Sequence, residues 1–302
     1  MVAMLAPLLS GCQPYFTITR ITFRNISYQL NHPIQPAPSR PEVNPIDTGG
    51  IKVSWIGHAT MLINFYGTLI LTDPNFSHRV GMARRIVEPA LKPSELPPID
   101  LIVISHAHFD HFNLGSLKRL PKNNILIIPR NCRDLVEGMG FTQVIELDWK
   151  EEVVVKGVVV KALRPNHWGR RTPFDDRERG YNAYILTKGG RSILFGGDTA
   201  YTKAIGDEGK GYNLAFAILP IGAYSPELWH KRHATPEEAL QMFLESGAEY
   251  MIPMHWGTFI LSLEPIGEPI ERLKAEAQRL GVKRRILFLR PGETAAYPLE
   301  GP

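Results

Sequence analysis

The sequence predicts an α/β fold, of the α+β kind, in which sheet layers are covered by helices. Two features of the 302 residues predict it. Short apolar or alternating runs of strand length recur along most of the chain. A few helix-spaced segments fall between them, with no repeat at solenoid periods. The composition agrees, because 44% hydrophobic and 21% charged residues are an ordinary balance for a packed domain.

The N-terminal segment, Met1 to Leu9, is almost wholly apolar, and Leu9-Ser10-Gly11-Cys12 follows. That order resembles the lipobox of bacterial lipoproteins. The resemblance implies a processed signal over residues 1–12 and a lipid anchor at Cys12. It places the protein in the bacterial cell envelope, periplasmic or at the outer membrane. The apolar run is too short to span a bilayer. The alternative is a cytoplasmic protein that meets membranes peripherally. Residues 13–50 read as an extended, proline-rich leader that wraps the domain, on the strength of Pro33, Pro36, Pro38, Pro41 and Pro45.

The regular domain is expected over residues 51–302. Ile51 to Ile56 alternates as a strand should, and Met61 to Tyr66 and Thr68 to Thr72 follow, joined tightly at Tyr66-Gly67. Leu101 to Ile104 is a continuous apolar run, the mark of a strand buried on both faces. Further strands are predicted at 125–128, 144–147, 153–163, 182–187, 192–195, 216–219, 250–253 and 285–289. Helices are predicted over Leu114 to Leu120, Cys132 to Met139, Pro236 to Glu245 and Pro269 to Leu280. One start is sharply marked: Thr235 caps, Pro236 takes the first helical position and Glu238 completes a capping box.

Charge and cysteine content narrow the chemistry. The formal net charge of +4 is scattered, and no dense Lys/Arg run offers a nucleic-acid backbone an arm, so no nucleic-acid partner is expected. The mild excess favours anionic partners such as phosphates or lipid head groups. With two cysteines, Cys12 and Cys132, the chain builds neither a disulfide framework nor a Cys-based zinc site. Cys132 reads as a packed thiol. Any metal must therefore be held by His and carboxylate.

Such donors are concentrated in Ser105-His106-Ala107-His108-Phe109-Asp110-His111, directly after the buried run at Leu101 to Ile104. Alternate positions on an extended stretch face the same way, so His106 and His108 can reach one metal. A turn after Phe109 aims Asp110 and His111 at a second. His167, Asp198 and His255 each follow another apolar strand, where a rigid scaffold can fix a ligand. Gly196 and Gly197 allow close backbone approach just before Asp198. Imidazole and carboxylate suit zinc first, with manganese or iron as alternatives. Lone histidines such as His32 and His78 read as surface or structural residues.

HxHxDH followed by spaced His, Asp and His resembles the metallo-β-lactamase superfamily. Trp55-Ile56-Gly57-His58-Ala59-Thr60, Leu71-Thr72-Asp73-Pro74, Ile145-Glu146-Leu147-Asp148-Trp149, Gly197-Asp198-Thr199, Pro220-Ile221-Gly222-Ala223-Tyr224 and His255-Trp256-Gly257-Thr258-Phe259 narrow the match. They look like the N-acylphosphatidylethanolamine-hydrolysing phospholipase D branch and its bacterial relatives. The similarity covers about residues 50 to 297. It implies a four-layer αββα sandwich with two zinc ions at one edge. It gives His106, His108 and His167 to the first ion, and Asp110, His111 and His255 to the second. Asp198 bridges them, and Asp73 supports the metal loop from behind. His233 resembles a histidine near the catalytic centre. His58 is no ligand in the family pattern and is expected to be structural.

This resemblance implies a metal-dependent hydrolase, a phospholipase D-type phosphodiesterase acting on (N-acyl)phosphatidylethanolamine lipids at a membrane surface. Two ions about 3.5–4 Å apart would bridge a water and lower its pKa, and hydroxide would attack phosphorus in line. Asp110 orients the nucleophile, and His233 assists the leaving group or binds phosphate. Trp168, Arg170, Arg171, Tyr224 and Trp256 flank the ligands in sequence and are expected to shape the mouth. Family members can form homodimers, which the resemblance carries over as a further expectation. Two alternatives stand beside this reading. One is hydrolysis of another ester, lactone, amide or nucleotide phosphodiester on the same centre. The other is a non-catalytic metal-binding protein.

Overall fold

The computed structural model describes residues 6–43, 46, 48–172, 174–175 and 177–298, with the side chains of residues 6–16 left out. Residues 1–5, Pro45 and the side chain of Cys12, on which part of the lipobox and leader reading rests, lie outside the described ones. The strands are β1 (Ile51–Gly57), β2 (Thr60–Phe65), β3 (Thr68–Thr72), the short pair β4 (Arg79–Val80) and β5 (Ala83–Arg84), β6 (Leu101–Val103), β7 (Ile125–Pro129) and β8 (Gln143–Leu147). They continue with β9 (Glu152–Val155), β10 (Val158–Leu163), β11 (Ala183–Lys188), β12 (Arg191–Phe195), β13 (Leu214–Pro220), β14 (Tyr250–Met254) and β15 (Thr294–Tyr297). The helices are α1 (Ala6–Asn31), α2 (Leu114–Arg119), α3 (Lys203–Gly209), α4 (Glu227–His230), α5 (Pro236–Ser246) and α6 (Glu268–Arg279).

Two sheets form. One runs β15-β1-β2-β3-β6-β7-β8, the other β14-β13-β12-β11-β10-β9. Strand alternation divides their side chains among three buried clusters. Val53, Trp55 and Val103 meet Val160, Phe195 and Phe216 between the sheets. Ile102, Ile104 and Ile128 point outward onto Phe112 and Leu117 beside α2. Leu194, Ala217 and Leu219 point outward onto Leu240 and Phe243 of α5 and Leu273 of α6. Three apolar layers separated by two sheets make an αββα sandwich, the predicted architecture. Fully burying one such Leu or Phe contributes roughly 1.5–3 kcal/mol.

Local signals explain the boundaries. Tyr66 and Gly67 take positive φ, 48° and 82°, the two-residue turn joining β2 to β3. The capping box of α5 is present, with the Thr235 side chain accepting from the Glu238 amide. Cys132 is buried, and burial pushes its thiol up to about 12, consistent with a packed thiol.

Four expectations fail. Residues 153–163 are two strands, because Lys156 and Gly157 at φ 51° and 77° close a hairpin. Cys132 to Met139 forms only a 3-10 turn over Arg133–Leu135, with Gly138 and Gly140 at positive φ just beyond it. Arg285 to Leu289 follows a 3-10 turn and touches the sheet by one isolated bridge, Ile286 to Met251. Residues 13–31, read as extended leader, are helical in α1. Tertiary contacts explain α1 where Thr- and Ile-rich propensity does not. Asn25 donates to the Ile260 carbonyl at 2.8 Å, and Arg24 donates to those of Ser262 and Glu264 at 3.1 and 2.7 Å. The stretch after it does lie along the domain: the Gln35 amide donates to Ile86 and the Ser39 amide to Pro291. Among the described residues no helix is long and apolar enough to cross a membrane.

Candidate metal centre

All seven predicted ligands converge at one edge of the sandwich. His106, His108, Asp110 and His111 follow β6 of the first sheet. His167 follows β10, Asp198 follows β12 and His255 follows β14 of the second. One set of donor atoms comes from His106, His108, His167 and Asp198, all within 4.8 Å of one another. A second comes from Asp110, His111 and His255, together with His58. In the first, His108 Nδ1 lies 2.8 Å from His106 Nε2 and 3.2 Å from His167 Nε2. In the second, His111 Nε2 lies 3.1 Å from His255 Nε2 and 3.4 Å from Asp110 Oδ2. Asp198 Oδ2 sits between the sets, 3.1 Å from His111, 3.2 Å from His255 and 3.9 Å from His106.

These residues fit metal ions. Ring nitrogens packed this closely cannot all be satisfied by hydrogen bonds to one another. The spacings are near the edge of a tetrahedron around an ion with bonds of about 2.0–2.1 Å. The buried Asp198 Oδ1 has no hydrogen-bond partner, which leaves a carboxylate oxygen free for a ligand role.

Outer contacts fix the donors. Asp73 accepts from the Ser105 amide at 2.7 Å, from the Ser105 hydroxyl at 2.6 Å and from His111 Nδ1 at 2.7 Å. With Nδ1 engaged, His111 turns Nε2 towards the centre. Ser105 Oγ similarly holds His106 Nδ1 at 2.9 Å, and the Arg232 carbonyl holds His167 Nδ1 at 2.9 Å. Two glycines permit the crowding. A Cβ on Gly197 would stand 2.6 Å from Ser105 Cβ, and one on Gly222 would stand 2.2 Å from the His255 carbonyl oxygen. His58, Asp73, Ala223 and His255 all take positive φ, at 59°, 34°, 65° and 61°. Such strain costs of order 1–3 kcal/mol per residue and persists where surrounding structure over-determines it.

His58, expected to be structural and no ligand, lies directly against the second donor set. It lies 2.9 Å from Asp110 Oδ2, its ring is 4.1 Å from that of His255, and it is buried. Burial, then the neighbouring His255, lower it to about 3, so it is neutral. Burial opposes ionisation of Asp110, but His111 and hydrogen bonds from His111, His255 and His58 outweigh it and hold the carboxyl well below its usual range. Ionised Asp110 can only accept, so neutral His58 donates to it. No local spacing betrayed His58, since its partner is 52 residues away.

His233 is brought in as expected. It is buried, its Nδ1 is 3.7 Å from Asp198 Oδ2 without a hydrogen-bond partner, and burial lowers it to about 4. The five expected mouth residues divide. Trp168 stacks on His167 at 4.6 Å and stands edge-on to His108 at 4.9 Å. Trp256 lines a small cleft with His58, His255 and Phe259. Arg171 turns inward and braces the metal loop, donating to the carbonyls of Ala107 and Phe112. Tyr224 is buried and donates to Glu268 at 2.8 Å on α6. Arg170 is exposed and lies outside the donor sets.

The two sets differ in protonation before any ion enters. Burial, then neighbouring histidines, lower His106 and His167 well below the ordinary 6.5, and burial lowers His108 to about 4 against the opposing pull of Asp110 and Asp198. Burial also opposes charge on His111 and His255, but Asp198 and Asp110 outweigh it, raising His111 well up and His255 to about 9. Binding requires neutral imidazole. At pH 7 the imidazoles of the first set are neutral, whereas those of the second hold protons that an ion must displace. Metal affinity of the second set should therefore rise with pH from 7 through about 9, whereas that of the first stays flat. Calorimetric titration of metal-free protein in buffers of different ionisation enthalpy checks this. Equal proton release for the two equivalents would contradict it.

A family model described as a beta-lactamase superfamily domain matches residues 68–256, more than half of the chain. The chain belongs to the metallo-β-lactamase superfamily. It is 32% identical over 284 residues to an uncharacterised protein of Mycobacterium tuberculosis, covering 87% of this chain and 76% of that one. It is 31% identical over 248 residues to N-acyl-phosphatidylethanolamine-hydrolysing phospholipase D 1 of Caenorhabditis elegans, covering 74% of this chain and 69% of the relative. The resemblance to that branch is thereby shown. Among solved structures, a metallo-hydrolase of Ignicoccus hospitalis superposes with a TM-score of 0.65 at 21% identity, over 83% of this chain and 100% of that one. That likeness speaks for the fold alone. Membership makes the chain a metal-dependent hydrolase.

Proposed function

We propose that this metallo-β-lactamase-superfamily hydrolase is a phosphodiesterase of phospholipase D type, acting on (N-acyl)phosphatidylethanolamine lipids with two divalent ions, zinc first. The observation that carries the reading is the pair of donor sets sharing Asp198, whose Oδ2 lies 3.1–3.9 Å from ligands of both. The named activity of the nematode relative supplies the lipid class. His106, His108 and His167 would hold one ion, Asp110, His111 and His255 the other, with Asp198 between them. When bound, such ions supply Lewis acidity and an activated water.

The chain's own residues do the rest. Asp110, fixed by His58 at 2.9 Å, presents an oriented carboxylate to the nucleophile. Neutral His233 beside Asp198 is placed to donate a hydrogen bond to a phosphoryl or leaving-group oxygen. Trp168 closes the first donor set on one side and limits water there. Water adds to phosphorus, the P–O bond to the head group breaks, and the departing alkoxide takes the proton. The products are phosphatidic acid and the head-group alcohol.

A membrane surface as the place of encounter draws support from α1, where Ile18, Phe23, Ile26 and Leu30 are exposed at 54, 69, 42 and 80%. The test is mass-spectrometric analysis of zinc-loaded protein with N-acylphosphatidylethanolamine and phosphatidylethanolamine in vesicles. Release of N-acylethanolamine and phosphatidic acid is expected. Cleavage of bis(p-nitrophenyl) phosphate but of neither lipid would overturn the substrate. Equal turnover of a short-chain, monomeric lipid would remove the surface from the reading.

A further inference from the structure

Beside the first donor set lies a second cavity, of about 350 Å³, that the chemistry above does not use. Trp168 is shared, since it both lines this cavity and packs on His167 and His108. The other walls include Trp149, Arg130, Arg164, Arg170 and Glu178. Arg164 stacks over the Trp149 ring at 4.4 Å, and Arg130 approaches the same ring at 5.8 Å. Stacking fixes a guanidinium plane while leaving its edge N–H groups for a ligand.

Charge accounting singles out two arginines. Arg179 is neutralised by Asp134 at 2.8 Å and Asp175 at 2.6 Å, and Arg177 leans on Asp134 at 3.7 Å. Arg130 pairs with Asp148 at 3.3 Å, yet its buried Nε has no partner. Arg164 and Arg170 have no carboxylate partner among the described residues. Glu178 is the one acidic residue among those lining the cavity. Two guanidiniums without a carboxylate partner among the described residues, a third with a buried unpaired N–H, and two indole walls make a receptor for a planar or tetrahedral anion.

We propose that this cavity is an anion subsite for one arm of the substrate, so that the preferred phosphodiesters carry a second negative group, a carboxylate or phosphate, on the arm beside Trp168. The proposal rests on the phosphodiesterase reading but departs from its ethanolamine lipids, whose head groups carry no second negative group, in favour of diesters with an anionic arm. A neutral head group leaves Arg164 and Arg170 to water, whereas an anionic one gains charge-assisted bonds that roughly double a neutral bond's strength.

The test separates binding from turnover. Glycerophosphoserine and glycerophosphoethanolamine differ by one carboxylate, and neither requires hydrolysis to be measured. In isothermal titration calorimetry with the full, metal-loaded chain, glycerophosphoserine should bind about tenfold tighter or more, the worth of a hydrogen bond to a charged group. Arg164→Gln should bring that ratio towards one, and so should Arg170→Gln. Equal affinities in the parent, or a preference unmoved by both substitutions, overturn the subsite. If the cavity serves free anions instead, sulfate will bind the parent more tightly than Arg164→Gln while the two glycerophosphodiesters bind alike, which also overturns it. Failure to cleave bis(p-nitrophenyl) phosphate would instead remove the phosphodiesterase reading, and the binding ratio would still be read.

Discussion

Replacing Asp198 with Asn is expected to lower turnover by more than the roughly 10–100-fold seen when a partner outside the coordination sphere is lost. It should also reduce retained metal from two ions towards one. The substitution keeps the side chain's size and removes its charge. Asp198 Oδ2 is within 3.9 Å of donors from both sets, so one change weakens both. The second set should suffer more, because His111 and His255 face Asp198 more closely than His106 does. Metal analysis after gel filtration and turnover of bis(p-nitrophenyl) phosphate measure the two effects, with far-UV circular dichroism as a control for folding. Parental turnover with both ions retained would refute the bridging role.

The second large effect is expected at a glycine. In Gly222→Ala the new methyl would stand 2.2 Å from the His255 carbonyl oxygen and 3.3 Å from its carbonyl carbon. Both atoms are backbone, so no rotamer relieves the clash. Neighbours prevent a slide. The Ile221 amide donates to Met254 at 3.0 Å, and the Ala223 amide donates to Glu264 at 2.6 Å. Either His255 moves off the second ion or the ends of β13 and β14 part. A loss of about 3 kcal/mol is expected, the upper end of ordinary overpacking. Reduced metal content should accompany it. Gly267→Ala is the control, because a Cβ there meets nothing within 4 Å. A Gly222→Ala protein with parental melting and full metal content would show that the approach is slack.

The metal donors were legible because they announce themselves locally. Four lie in six consecutive positions after a buried strand, and the other three each end another strand. His58 was not legible as part of the centre, because its role depends on a contact with Asp110 across 52 residues. The helix α1 was missed for the same reason. Its anchors, Asn25 and Arg24, find their acceptors 235 to 240 residues away, and the local Thr- and Ile-rich sequence argues against helix. Residues 132–139 show the converse error: apolar spacing suggested a helix that Gly138 and Gly140, at φ 72° and 85°, do not sustain. Arg171 stands close after His167 in sequence and Tyr224 close after β13, but side-chain direction, invisible in a one-dimensional reading, turned them into the scaffold.

The provenance of the ligands has a mechanical consequence. Each donor set draws on both sheets: His106 and His108 face His167 in one, and Asp110 and His111 face His255 in the other. Two ions seated there would act as rivets through a seam, clamping the open edge of the sandwich where backbone turns at His58, Asp73, Ala223 and His255 are already sprung. At the opposite ends of the strands, Phe216 packs against Tyr250 and Tyr297, with ring centroids 6.3 and 5.9 Å apart. Stripped of ions, the molecule would unzip from the chemical end first, keeping a hinge of packed aromatics at its back.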